Sequence, residues 1–158
     1  MAILRLNGED RGLKGFTMLE MIIVIGIVAI LLKISSSMFN SYKQNANLRE
    51  AAGALAEDMK LAKQRAMAEN VNYTITFDVN NNSYRIQGGT YDVTKKLGDF
   101  GNGIRILSQN YSGGNSGTIT FKTRGTCSAG TIKLQNSINS ELDIITTLMG
   151  KVTIVKIA

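Results

Sequence analysis

Apolar residues are concentrated near the start of the chain. Residues 16–32 read Phe-Thr-Met-Leu-Glu-Met-Ile-Ile-Val-Ile-Gly-Ile-Val-Ala-Ile-Leu-Leu, with Glu20 as the one charge, and residues 21–32 have no polar side chain. As a helix this run rises roughly 25 Å at about 1.5 Å per residue, a little under the roughly 30 Å of bilayer hydrocarbon. Ile34 extends it, and Lys33 can snorkel to the far interface, so the segment is long and apolar enough to span. Beyond it the pattern becomes amphipathic. Leu48, Ala52, Leu55, Met59, Ala62 and Ala66 recur at steps of four and three, one helical stripe surrounded by Arg49, Glu50, Glu57, Asp58, Lys60, Lys63 and Arg65. The chain has no proline, so nothing forces a break between Phe16 and about Glu69, and one long helix is expected. Met38, Met59 and Met67 are expected to pack in a core.

After Asn70 the period changes to two. Residues 73–79 and 83–87 alternate, with Asn80-Asn81-Asn82 between them, which predicts a β-hairpin. Five more strands are expected at 104–107, 118–122, 131–134, 142–147 and 152–157, with turns at 113–117, 125–130 and 148–150. Residues 88–103 show no such alternation and read as a glycine-bearing surface loop. Its Gly98, Gly101 and Gly103 lack the following Lys-Ser or Lys-Thr of a phosphate-binding loop. A long helix followed by a run of antiparallel strands is an α+β plan, with the helical stripe lying on the sheet.

Composition narrows the chemistry. In 158 residues there are no His and no Trp and a single Cys, which removes the usual materials of metal sites, His-based triads and internal disulfides. No cofactor and no catalysis are expected. Cys127 stands in an expected turn without a histidine to activate it and reads as a free thiol. The net charge is +6, and residues 101–158 hold six basic residues against Glu141 and Asp143, a net of +4. An anionic partner is therefore open, with a solvated basic face as the plainer reading.

The apolar segment has two membrane readings. An ordinary secretory signal would place its cleavage site near Ser35, Ser36 and Ser37 and would make this a secreted protein. Glu20 argues against it, because a carboxylate in such a run costs roughly 2.5–3.5 kcal/mol near the centre of a membrane helix and less toward an end. A buried carboxylate calls for a partner.

Lys14-Gly15-Phe16-Thr17-Met18-Leu19-Glu20, followed at once by the apolar run, resembles the processing site of class III signal peptides, those of type IV prepilins and type II secretion pseudopilins. The resemblance implies cleavage by prepilin peptidase between Gly15 and Phe16, methylation of the new amino terminus on Phe16, and a role for Glu20 in assembly. Physically, cleavage creates an α-amine on an apolar helix, and a neighbour's amine would favour the charged form of a buried Glu20 and set axial register between subunits. Glycine suits a position whose backbone a peptidase must draw into its cleft. Arg5, Arg11 and Lys14 would keep the leader cytoplasmic.

The tail also carries a resemblance. Residues 117–121 (Gly-Thr-Ile-Thr-Phe), Gly125, residues 130–134 (Gly-Thr-Ile-Lys-Leu) and residues 144–152 (Ile-Ile-Thr-Thr-Leu-Met-Gly-Lys-Val) are similar to the C-terminal domain of the GspH/FimT group of minor pseudopilins and minor pilins. Two departures stand out: Ser37 occupies the twenty-second mature position, where many type IV pilins have proline, and Lys151 stands in the closing turn where arginine is usual.

The expected organisation is thus a cleaved leader (1–15), a transmembrane and assembly segment (16–34), an amphipathic helix (35–70) and an antiparallel β domain (71–158), a pilin-like α+β fold. The implied function is that of a minor subunit of a type II secretion pseudopilus or type IV pilus. Its partners would be other subunits, the peptidase and the bacterial inner membrane, with the β domain outside the cytoplasm. The alternative is a FimT-like DNA-binding minor pilin, in which Lys151 and Lys156 would meet phosphates as point charges.

Overall fold

The two hydrophobic periods separate in space as they do along the chain. A computed structural model describes residues 15–111 and 117–156, with the backbone alone at 34–37. Residues 1–14 of the leader, the glycine turn at 113–116, the side chains of Ser35, Ser36 and Ser37 and the expected strand end at Ile157 lie outside the described residues. Helix α1 (Met18–Ala68) is followed by β1 (Tyr73–Asp78), β2 (Ser83–Gly88), β3 (Tyr91–Lys96), a 3-10 turn (Leu97–Phe100), β4 (Arg105–Tyr111), β5 (Thr118–Phe121), β6 (Gly130–Gln135), β7 (Glu141–Thr146) and β8 (Val152–Lys156). The chain divides into two units, Met1–Met38 and Phe39–Ala158.

In the first unit the helical side chains lie exposed, Leu19, Ile22, Ile25, Ile30 and Leu32 among them. The second unit holds the core. Leu48, Ala52, Leu55, Met59, Ala62 and Ala66 are all buried, joined by Ala51 and Ala56, so the stripe is the packed face of the helix. Its alanines let the helix backbone approach the strands, while Leu48, Leu55 and Met59 each contribute about 1.5–3 kcal/mol of burial. Asn70 takes a φ of 55° just past the helix end, the left-handed cap that stops the helix where the sequence pattern does.

Two antiparallel four-stranded sheets follow, in the orders β3-β2-β1-β5 and β4-β6-β7-β8. Alternation supplies their inner faces: Tyr73, Ile75 and Phe77 on β1, Ile119 and Phe121 on β5, Ile132 and Leu134 on β6, Leu142 and Ile144 on β7. These join the helical stripe in one hydrophobic cluster. Phe77 of the first sheet stacks on Tyr111 of the second with centroids 5.9 Å apart.

Two expectations are corrected here. Residues 88–103 are not a structureless loop, because β3 pairs along its whole length with β2 through a two-residue connection at Gly89 (φ 55°) and Thr90. The inward positions of β3 are Tyr91, Val93 and Lys95, too mixed to show as alternation, and polar pairing fixes the strand. Arg85 forks onto Asp92, Lys95 reaches Asp58, and the Arg65 guanidinium lies 4.2 Å from the Tyr91 ring centroid. Leu97, fully buried, plugs the core from the 3-10 turn. The second correction concerns methionine: Met59 is buried, but Met67 sits one position off the stripe and is 53% exposed, and Met38 is 75% exposed.

A buried charge ties the helix to the first sheet. Asp58 is 8% exposed, and its carboxylate accepts the Tyr84 hydroxyl at 2.7 Å and the Lys95 ammonium at 2.8 and 2.9 Å. Burial, then the bond to Asp58, pushes the Tyr84 phenol far above its ordinary range, so the hydroxyl is a fixed donor. Removing the acceptor strands both donors. Asp58→Ala is expected to lower stability by about 2 kcal/mol, and Tyr84→Phe by about 1 kcal/mol, in denaturant melts of the purified protein. Equal effects from the two would show that Lys95 contributes nothing.

Candidate functional site: the helix start and the closing turn

The start of α1 is built by its own first residues. The Thr17 hydroxyl accepts the Glu20 backbone N–H at 3.2 Å, and the Thr17 carbonyl accepts that of Met21 at 3.2 Å. Thr17 is thus the N-cap and Glu20 the third helical residue, the Thr-x-x-Glu spacing of a capping box. A carboxylate in the first turn also interacts favourably with the helix dipole, which offsets part of the penalty for placing Glu20 in an apolar run. Thr17 is the functional residue that the motif reading passes over. Its signal was present in the spacing of a hydroxyl three residues before a carboxylate.

A Cβ at Gly15 would meet no atom within 4 Å, so the described fold makes no demand for glycine there. Phe16 is exposed, as is Glu20. From Met18 onward the helix is apolar and long enough to cross a membrane, and none of its most apolar window is buried in the chain.

The second feature closes the β domain. The turn between β7 and β8, Thr147-Leu148-Met149-Gly150-Lys151, is clamped from several sides. Lys63 on α1 donates to the carbonyls of Met149 at 2.8 Å and Gly150 at 3.2 Å. The Cys127 N–H donates to the Leu148 carbonyl at 3.1 Å, and its thiol lies 3.2 Å from the Thr147 carbonyl. Gly150 has a φ of 66°, and a Cβ on it would come within 2.5 Å of the Gly125 carbonyl. A second tight turn around Gly125 (φ 78°), closed by Gly125 N–H to Lys122 O at 2.8 Å, therefore lies directly against the first. Both glycines are needed, because a side chain meets a left-handed backbone and an occupied space together. Burial raises the Cys127 thiol, partly countered by a backbone bond from Gly150 and the charge of Lys63.

Lys151 and Lys156 occupy opposite ends of β8. The first stands exposed in the clamped turn, its N–H 3.3 Å from the Thr147 hydroxyl. The second lines a small cavity with Asn45, Leu48, Arg49, Ser140 and Glu141. Five residues of strand hold them about 16 Å apart. Instead of Lys156, the neighbouring turn brings Lys122 and Arg124 close to the Lys151 turn, a grouping that depends on the Gly125–Gly150 contact and has no signature in linear spacing.

Residues 51–150 match the family described as Type II transport protein GspH. No curated protein sequence is recognisably similar. Two solved structures of the minor pseudopilin EpsH from the type 2 secretion system of Vibrio cholerae share the fold. One superposes with a TM-score of 0.55 at 10% identity, covering 70% of this chain and 97% of that one. The other gives 0.58 at 9% identity, covering 72% and 96%.

The clamp makes Cys127 a reporter of the turn. In the native protein, iodoacetamide is expected to label Cys127 slowly, and Lys63→Ala or Gly150→Val should speed labelling about tenfold by releasing the carbonyls above the thiol. Unchanged labelling in both variants would show that the turn does not depend on these contacts.

Proposed function

This chain belongs to the GspH family of type II transport proteins, and we propose that it is a minor pseudopilin, made as a prepilin, held in the bacterial inner membrane by the apolar part of α1 and assembled through that helix into a secretion pseudopilus. The observation that carries the proposal is an exposed, spanning-length apolar helix whose first turn bears a lone carboxylate, on a chain whose residues 51–150 match the family. In this reading prepilin peptidase cuts between Gly15 and Phe16, and Phe16 receives the methyl group. The bare backbone at Gly15 serves the peptidase rather than the fold, since no described residue crowds it. The β domain lies outside the cytoplasm and presents its surface to other subunits.

Glu20 has two separable roles. Its N–H and its place in the first turn help start the helix, and its charge meets the amine of a neighbouring subunit once Phe16 has become the terminus. Both variants keep the backbone N–H bond to Thr17; glutamine removes only the charge and keeps a polar capping side chain, whereas valine removes both the charge and that side chain. A DNA-binding role of the FimT kind rests on the basic excess of residues 101–158 alone.

Two outcomes are expected. Gly15→Leu should leave the precursor uncut on a membrane-fraction blot, and normal cleavage would dismiss the assigned site. Glu20→Gln and Glu20→Val should both be cut and retained in the membrane, while crosslinking to neighbouring subunits falls at least about tenfold in each. Crosslinking at the wild-type level for Glu20→Gln would show that the charge is not what docks.

A further inference from the structure

The clamped turn displays apolar side chains that its own contacts do not use. Leu148 is 63% and Met149 75% exposed, although the backbone beneath them is held by Lys63, Cys127 and Thr147. Met67, half-exposed, lies over Gly125 in the adjoining turn. Large apolar residues on a fixed turn are unusual where they have only water to meet, because a rigid exposed group gains nothing from solvent and loses nothing further on binding. Lys122 and Arg124 belong to the Gly125 turn and Lys151 to the turn it abuts, and all three are exposed. Among the described residues, none of these three cations is in an ion pair: the ion pairs are Arg85–Asp92, Lys95–Asp58 and Lys133 with Glu141 and Asp143. The two abutting turns therefore display exposed apolar and cationic side chains together, beside Lys63 and Met67 of α1.

We propose that this pair of turns is a docking surface for an acidic protein segment that presents an apolar side chain. Charge complementarity selects the acidic partner, since three unpaired cations steer and hold carboxylates. The exposed Leu148 and Met149 select protein over nucleic acid, because a phosphate backbone offers them nothing to bury. The rigidity of the turn, fixed by Gly125 and Gly150, lowers the ordering cost of binding. This surface uses none of residues 16–34 and goes beyond the subunit role proposed above, and the two can fail independently.

The test uses the full chain in phosphatidylcholine nanodiscs, with empty nanodiscs as control. Fluorescence anisotropy follows a labelled short peptide composed of Asp, Glu, Leu and Phe, beside one composed of Asp, Glu, Ser and Gly, a labelled DNA duplex, and phosphatidylglycerol vesicles assayed by co-sedimentation. The acidic apolar peptide is expected to bind at least about tenfold more tightly than the acidic polar one. Leu148→Ser with Met149→Ser should remove that advantage, and Arg124→Glu with Lys151→Glu should weaken both peptides about tenfold or more. Either pair of substitutions decides the matter, so instability of one leaves the other as the test. Equal binding of the two peptides, or binding unchanged by either pair, overturns the proposal. Preference for the duplex or the vesicles over the apolar peptide, insensitive to the serine pair, also overturns it and assigns the cations to phosphate.

Discussion

One constraint governs the molecule: the helix that begins at Met18 carries two apolar surfaces, and the described residues cover only one. Along residues 48–66 the stripe is sealed by the strands and lies in the core. Along residues 18–32 the side chains stand open, at roughly half or more of their full exposure. Leaving such a surface in water costs on the order of 10–20 kcal/mol at about 25 cal/mol per Å² of apolar area, more than the stability of most domains. No rearrangement of a small β domain already packed on the other stretch can absorb it. In the proposed function, lipid covers this stretch before assembly and the same stretch of other subunits covers it afterwards.

The β domain answers a different need, which is to hold a long amphipathic helix by one face. Apolar burial supplies most of the attraction, but direction comes from polar groups that have one solution each. Asp58 receives Tyr84 and Lys95, Glu69 just past the helix accepts the Tyr73 hydroxyl at 2.6 Å, and Asn45 meets Asn136 at 3.1 Å, so the stretch from Asn45 to the helix end is pinned to the first sheet and to the loop after β6. A sliding helix would leave these groups buried and unpaired. The clamp of Lys63 on the closing turn completes the series at the helix end, and a cation near a helix C-terminus is also favoured by the dipole.

Much of this was legible in the sequence because hydrophobic period reports burial directly. The stripe from Leu48 to Ala66, the hairpin around Asn80–Asn82, and the strands near 118, 131, 142 and 152 follow from repeats of three to four and of two. Strand β3 escaped because its inward residues include Lys95, whose charge is accommodated only by an aspartate thirty-seven positions earlier. Met67 misled for the opposite reason: it is apolar, yet lies one residue beyond the buried Ala66 and turns outward. At the helix start, Gly15, Phe16 and Glu20 are linear features and could be named at once. The grouping of Lys122, Arg124 and Lys151 could not, because it is created by two left-handed glycines that meet across the fold.

The central claim is that α1 becomes the mature start of an assembling subunit, and the mass of the protein extracted from the membrane fraction tests it most directly. The account predicts a chain that begins at Phe16 with one methyl group on its amine. A chain beginning within or just after residues 35–37 would contradict it, since the apolar helix would then have been a discarded secretion signal.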